Sequence, residues 1–141
     1  AFFINLFRLL IVEGGAGAGG CTIIDEIEES IYVQNSVMIV RPVSLSDIRY
    51  LKYWIESLVK RGYISVVCNK ATIPHFTKDK LANTPLAAPP IEEQRQIADY
   101  LDKKCEKIDK LIALKQQKIE KLNEYKKSLI YEYVTGKKEV G

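Results

Sequence analysis

The first half of the chain alternates short apolar runs with polar and glycine-rich segments. The apolar runs are rich in Ile, Val and Tyr, which are enriched in β-strands because branched and aromatic side chains pack well on a pleated surface. We therefore predict strands at residues 9–12, 21–24, 31–33, 37–41 and 63–67. Together these strands would form a small mixed β-sheet whose first strand is buried.

A helical pattern separates the last two predicted strands. Its apolar residues recur at steps of three and four and form one face: Ile48, Leu51, Ile55 and Leu58. Ser46 is a suitable N-cap for this helix, and Gly62 can end it in a left-handed conformation. Trp54 borders the apolar face and is interpreted as a core residue. Farther along, Thr77 is expected to cap a short helical turn that runs to Leu81.

The second half of the chain has a different pattern. Residues 92–134 contain neither Pro nor Gly and so predict one helix, about 64 Å long at the standard rise. Glu92 and Glu93 place negative charge at the positive N-terminal end of this helix. Gly136 lies just past its other end, where a glycine in the left-handed backbone conformation commonly ends a helix. The prolines just before this helix mark a boundary, with predicted domains at residues 1–88 and 89–141. The fold class is therefore α+β.

Apolar residues form two neighbouring rows along the predicted helix, which we call the seam. The seven positions expected to pair with another helix are Leu101, Ile108, Ile112, Ile119, Leu122, Leu129 and Tyr133. Cys105 belongs to the seam. Lys115 stands at the position between Ile108 and Leu122 where the seven-residue repeat calls for an apolar residue. The seam is broad, so an antiparallel pair or a small bundle suits it as well as a parallel zipper. A second helix is expected to cover it, from another copy of this chain or from a larger parent protein.

Composition excludes several classes of protein. The apolar content of 47% is ordinary for a globular protein, and the apolar opening, residues 1–12, is too short to span a bilayer, so no membrane association is expected. The chain lacks an initiator Met, which favours a piece of a larger protein. Its three cysteines lie far apart and His75 is the single histidine, so we expect no metal site and reduced thiols in the cytoplasm.

The sequence offers little for catalysis. Gly15, Gly17 and Gly20 have the spacing of a dinucleotide-binding turn, but that turn needs a helix after the third glycine and an acidic residue about twenty positions on. A strand is predicted at residues 21–24, so a glycine loop between strands is the favoured interpretation. No nucleophile can be paired with a base by sequence, and we predict a protein that is not an enzyme and binds no cofactor itself.

The charge pattern does not by itself indicate nucleic acid. The net charge is only +3, and lysines along the long helix alternate with acidic residues. A solvated helix face with ion pairs is the favoured interpretation of those lysines.

Two stretches of the second half resemble the shared helical region of type I restriction-modification specificity subunits. That family has a Pro-Pro pair, a Glu-Gln pair shortly after it, a long helix, and a closing Tyr-Lys-x-Ser-Leu-Ile run before Val-Thr-Gly-Lys. The matching residues here are Pro89, Pro90, Glu93, Gln94, Leu122, Tyr125, Lys126, Ser128, Leu129, Ile130, Val134, Thr135, Gly136 and Lys137. Looser similarity to the distal part of a target-recognition domain covers residues 14–20, 33–37 and 71–77.

The resemblance implies a non-catalytic subunit in which each recognition domain contacts half of a bipartite double-stranded DNA site. It also implies that two long helices pair as an antiparallel coiled coil, either between two copies or within one full-length subunit. The helices would set the gap between half-sites and dock methyltransferase subunits, which use S-adenosylmethionine and work with restriction subunits. The alternative from another class is a coiled-coil scaffold that binds protein and no DNA.

The candidate DNA-binding residues lie in two loops. Base recognition would depend on loop side chains that reach base edges, while lysines and backbone amides hold phosphates. The candidates are Gly15, Gly17, Asn69, Lys70, Thr72, His75, Thr77 and Lys78. The alternative for the same residues is that they are turn and cap residues without a ligand.

Overall fold

The computed structural model describes residues 7–25, 33–68 and 73–141. The chain divides into two compact units, Ala1–Asp99 and Tyr100–Gly141. The first unit holds a small sheet, short helices and the first turns of a long helix, whereas the second unit is the rest of that helix and a short tail. The predicted α+β class is confirmed.

The sheet has three strands in the order β2-β1-β3, and both pairs are antiparallel. Strand β1 is Arg8–Val12, β2 is Cys21–Ile24 and β3 is Val37–Val40. Leu9 and Ile11 on β1 face the core and are each 1% exposed. The predicted strand at residues 21–24 is confirmed, and those at 9–12 and 37–41 differ by one terminal residue. Most of the predicted strand at 31–33 lies outside the described residues.

Helix α1, Ile48–Lys60, covers the inner face of the sheet with Ile55 and Leu58, as its apolar spacing predicts. Its N-cap is Asp47, so the prediction of Ser46 is wrong. Asp47 Oδ1 accepts hydrogen bonds from the backbone N–H groups of Arg49 (2.9 Å) and Tyr50 (3.1 Å). Ser46 and Asp47 are both suitable N-cap residues by type. The path of the backbone decides which of their side chains reaches the unpaired N–H groups of the first turn.

Residues 63–67 form a short helix, α2 (Tyr63–Val67), where a strand was predicted; that prediction is wrong. Gly62, in the left-handed region at φ 72°, ends α1 as expected and starts the new turn. Ile64 and Cys68 then lie one helical turn apart and are both buried. The helix buries two side chains on the same side of the backbone, and this tertiary packing outweighs the β-propensity of the segment.

The segment before the long helix lies along α1. A further short helix, α3 (Lys78–Ala82), is capped by Thr77 as predicted. Residues 85–90 then form neither helix nor strand. Trp54 Nε1 donates to the Pro85 carbonyl (3.3 Å), and the Tyr50 hydroxyl donates to the Ala87 carbonyl. Trp54 is half-buried against the core, which confirms its predicted place.

Helix α4, Ile91–Val134, is the long helix, and three residues of its first turns are held within the first unit. Gln94 is 3% exposed, and its Nε2 donates to the carbonyls of Leu45 (3.1 Å) and Pro89 (2.8 Å). Its Oε1 accepts from the Asp47 N–H at 3.0 Å. Ala98 is fully buried, and Asp99 accepts from Arg49 at 2.7 Å. Gln94 therefore joins the start of α4 to the loop before α1.

The other end of α4 stops as predicted. Gly136 takes φ 70°, and its N–H donates to the Tyr133 carbonyl at 3.3 Å. The Lys137 N–H donates to the Glu132 carbonyl at 2.8 Å. This pair of bonds is a Schellman motif, which satisfies the last carbonyls of the helix.

We expect Gln94→Ala to lower the free energy of unfolding by about 1–3 kcal/mol, because it leaves two carbonyls and one N–H without their partner. Gln96→Ala is the matched control, since Gln96 is exposed on the same helix. Urea denaturation of both variants checks the prediction. Equal midpoints for the two variants would show that the Gln94 contacts contribute little.

Candidate functional site

A glycine loop joins β1 and β2. The Val12 N–H donates to the Gly20 carbonyl (2.8 Å), and the Gly19 N–H donates to the Val12 carbonyl (2.9 Å). These two bonds close the loop at its base. A 3-10 turn, Gly15–Gly17, forms its tip. Strand β2 begins directly after Gly20, so the helix that a dinucleotide-binding turn requires after its third glycine is replaced by a strand.

Gly19 holds this loop against helix α1. It takes φ 84°, and a Cβ built on it would lie 2.8 Å from the side chain of Val59 and 3.1 Å from that of Ile64. Only glycine fits both the backbone conformation and the space. The loop is thus packed tightly at Gly19, while Gly17 at its tip is exposed.

The glycine loop meets the segment that carries His75. The Gly15 N–H donates to the Pro74 carbonyl (3.1 Å), and the Phe76 N–H donates to the Glu13 carbonyl (2.7 Å). Phe76 is fully buried and anchors this segment in the core. The structure therefore brings together the predicted site residues Gly15 and His75, which are distant in sequence. The Gly15 amide is engaged in holding the two loops together.

The residues after His75 combine structural and exposed groups. The Thr77 hydroxyl accepts from the Lys80 N–H at 3.5 Å, which is the role of a helix cap. Lys80 Nζ donates to the His75 carbonyl at 2.7 Å and so steadies the same segment. The Lys78 and His75 side chains are exposed. DNA contact by His75, Thr77 and Lys78 stays a prediction.

Three of the candidate residues, Asn69, Lys70 and Thr72, lie outside the described residues. Cys68 before them and Phe76 after them are both buried. The roles of the three residues stay predictions.

The predicted seam is largely exposed in the second unit. Five of its residues are between 44% and 58% exposed: Ile108, Ile112, Ile119, Leu122 and Tyr133. Leu101 and Leu129 are half-buried. Exposed apolar side chains at helical spacing are typical of a surface that binds another helix. Pairing of the seam stays a prediction.

One lysine of α4 and one lysine just after its end are paired with carboxylates of the helix. Lys110 binds Glu106, and the hydrogen bond and positive charge of Lys110 lower the pKa of the Glu106 carboxyl. The hydrogen bond and charge of Glu132 likewise raise the pKa of Lys138. Both lysines are exposed, so these pairs add little stability. They agree with the interpretation of the lysines as a solvated helix face.

The described residues offer no other chemistry of note. Burial, followed by the negative charge of Glu56, raises the pKa of the Cys21 thiol to about 11, so this thiol is protonated near neutral pH. No group of three or more His, Cys, Asp or Glu side chains that could hold a metal ion occurs among residues 7–25, 33–68 and 73–141. Within the same ranges, no helix is long and apolar enough to cross a membrane.

Comparison with known proteins identifies the family. A model of the type I restriction modification DNA specificity domain matches residues 8–124, which run from the first strand into the long helix. The chain belongs to this family. The chain is also 28% identical over 135 residues to the type I restriction enzyme MjaVIII specificity subunit of Methanocaldococcus jannaschii. That alignment covers 94% of this chain and 29% of the relative, so the chain spans less than a third of the specificity subunit it matches.

Sequence reasoning missed one positioning residue of this specificity domain. Gln94 belongs to the Glu-Gln pair that carries the family resemblance, but its hydrogen bonds to the distant backbone groups of Leu45 and Asp47 appear only in the fold. A glutamine in the first turn of an amphipathic helix, on the same side as Ala98, was the available signal. The structure brings the glycine loop and the His75 segment into contact, and this contact is the candidate site.

We expect Gly14→Ala to move the His75 ring, because a Cβ at residue 14 would lie 3.0 Å from two ring atoms. The ring is at the surface and can turn aside, so stability should change by less than about 1 kcal/mol. His75 is the only histidine, and its imidazole proton NMR signal therefore reports the change. Gly17→Ala is the control, since its Cβ meets only Val12 at 3.8 Å. A His75 signal unchanged by Gly14→Ala would contradict the contact.

Proposed function

We propose that this chain is a non-catalytic part of a type I specificity subunit and contacts one half of a bipartite double-stranded DNA site. The main support is the family match, which covers both the sheet-bearing unit and most of the long helix. The matched relative is itself named a specificity subunit. In this proposal methyl transfer belongs to a partner methyltransferase that uses S-adenosylmethionine, and cleavage belongs to a restriction subunit.

The DNA-binding surface in this proposal is centred on the contact between the glycine loop and the His75 segment. Two hydrogen bonds join the backbones of the two loops and hold them in a fixed position relative to each other. The side chains of both loops can therefore contact the same stretch of DNA. His75 offers a ring nitrogen to a base edge, and the exposed ammonium of Lys78 suits a phosphate. Asn69, Lys70 and Thr72 immediately precede this segment in sequence, and we propose that they also contact the DNA.

The long helix in this proposal is the spacer and the dock for the methyltransferase. Its exposed seam supports pairing with a second long helix, either from another copy or from the remainder of a full-length subunit. A continuous helix is stiff, with a fixed rise of about 1.5 Å per residue. A paired helix of this kind can therefore hold two DNA-binding units at the separation that their half-sites require.

Replacing residues 1–85 with the corresponding part of another specificity subunit should change the DNA sequence that the assembled methyltransferase modifies. The helix is retained in this chimera, so assembly should persist. Sequencing that detects methylated bases checks the outcome. The reciprocal chimera, which keeps residues 1–85, should keep the original sequence. Unaltered methylation specificity in the first chimera would refute the recognition role.

Lys70→Ala combined with Lys78→Ala should weaken DNA binding and make it less dependent on salt. Each phosphate contact that is lost should reduce the slope of log affinity against log salt concentration by about 1. Fluorescence anisotropy with labelled DNA and the assembled methyltransferase measures that slope. Lys103→Ala with Lys110→Ala removes the same charge from the long helix and should leave the slope nearly unchanged. Equal slopes in all proteins would favour the scaffold hypothesis.

A further inference from the structure

Two contacts hold the first turns of α4 to the start of α1. The buried Gln94 side chain donates to the Leu45 carbonyl (3.1 Å) and accepts from the Asp47 N–H (3.0 Å). Farther along the same helix, Asp99 accepts from Arg49 Nη1 at 2.7 Å. Asp47 is the N-cap of α1, and Arg49 lies in its first turn. The two contacts therefore join one end of α1 to two separate points of α4.

The separation of these two contacts affects how α4 can move. Gln94 and Asp99 lie about 7.5 Å apart along the helix axis at the standard rise. A helix that is held at one point can pivot about it, whereas a helix that is held at two separated points resists tilting. Ala98, which lies between them in sequence, is fully buried within the first unit. The first turns of α4 are therefore held against tilting.

The segment that leads into α4 is held in a similar way. Residues 85–90 form neither helix nor strand, and such a connection is the usual place for a hinge. Its carbonyl groups accept hydrogen bonds from side chains of both helices: Trp54 donates to Pro85, Tyr50 donates to Ala87, and Gln94 donates to Pro89. The prolines of the segment also fix its φ angles near −65°. These contacts remove the freedom that a hinge would need.

The Arg49 contact contributes more to geometry than to stability. The Arg49 and Asp99 side chains are 37% and 57% exposed, and ion pairs at the surface add little to the free energy of unfolding. Arg49 Nη2 also lies 3.6 Å from Asp47 Oδ2, so one guanidinium joins the cap of α1 to α4. A planar guanidinium with several donors restricts direction as well as distance.

Small rotations at the start of α4 produce large displacements at its other end. From Ala98 to Val134 the helix is about 54 Å long at the standard rise. A tilt of about 4° at Ala98 would therefore move the other end by roughly 4 Å. One added base pair moves two half-sites about 3.4 Å farther apart and rotates them by about 35°. A spacer that distinguishes single base pairs must therefore be held within a few degrees at its start.

We propose that Gln94 and Arg49 are positioning residues that let the subunit distinguish the correct gap between half-sites from a gap one base pair longer or shorter. The inference rests on the spacer role of α4 in the proposed function. It assigns the precision of that spacer to the contacts at the start of the helix. Helix length sets the average gap, and these contacts set how strictly that gap is enforced. Neither residue needs to touch DNA for this role.

Methylation of DNA duplexes with altered gaps tests this inference. The substrates carry the two half-sites that the wild-type enzyme modifies, at the native gap and at gaps one base pair longer and shorter. Each variant is made in the full-length specificity subunit and assembled with the methyltransferase. The measured quantity is kcat/KM for methylation at an altered gap divided by kcat/KM at the native gap. This ratio does not depend on how much of a variant protein is folded.

Gln94→Met keeps the size of the side chain and removes its hydrogen bonds. It should raise the ratio about tenfold, which is the discrimination that one base pair commonly provides in a specific site. Arg49→Ala should raise the ratio less, because the Arg49 contact is partly exposed. Arg49→Lys keeps the charge and should recover part of the wild-type ratio.

Two control variants should leave the ratio unchanged. Gln96→Ala alters an exposed glutamine of α4. Lys52→Ala removes the ion pair with Glu56 (3.2 Å), which lies entirely within α1.

A higher ratio in Gln94→Met and Arg49→Ala, with the same half-site sequences still required, supports the inference. Equal ratios in all proteins would overturn it, even if the Gln94 and Arg49 variants methylate more slowly at every gap, because that result indicates a structural role alone. Arg49→Ala keeps the Asp47 cap and the Gln94 contact, so it decides the question if Gln94→Met is unstable. A wild-type enzyme that methylates all three gaps equally would overturn the spacer role in the proposed function as well.

Discussion

The clearest physical constraint in the molecule is the apolar seam of helix α4, which the chain itself leaves largely exposed. Gln94 and Ala98, near the start of the helix, are buried within the first unit, whereas most seam residues after residue 101 are exposed. Complete burial of a fully exposed Ile or Leu side chain contributes roughly 1.5–3 kcal/mol, and the seam residues, which are already about half covered, would each gain a part of that. The helix is uninterrupted and cannot fold back to cover itself. Its physical chemistry thus favours association with another helix.

The lysines within the seam and those around it have different consequences. Lys110 pairs with Glu106 on its own helix at the surface, and this pair contributes little to stability. Lys115 and Lys126 interrupt the apolar rows themselves. Charged or polar residues at such positions lower the stability of a helix pair but specify its orientation and register.

In the candidate DNA surface, the contacts that hold the loops in place are different from the side chains that could contact DNA. Backbone hydrogen bonds join the glycine loop to the His75 segment, and buried Phe76 and Gly19 hold both in place. Neither kind of contact depends on the exposed side chains of these loops. Those side chains can therefore differ between specificity domains while the loops keep their positions, which is the usual arrangement for a binding site carried on loops.

The sequence by itself determined the elements whose signals are local: the strand at 21–24, the apolar face of α1, the Thr77 cap, and the long helix with its stop at Gly136. The family was also recognised from local motifs. Only the tertiary structure decided that residues 63–67 are helical, that Asp47 caps α1, and that Gly15 meets His75. Each of these depends on contacts between segments distant in the chain. Burial of Ile64 with Cys68, and the backbone bonds around His75, outweigh local propensity because they exist only when the chain is folded.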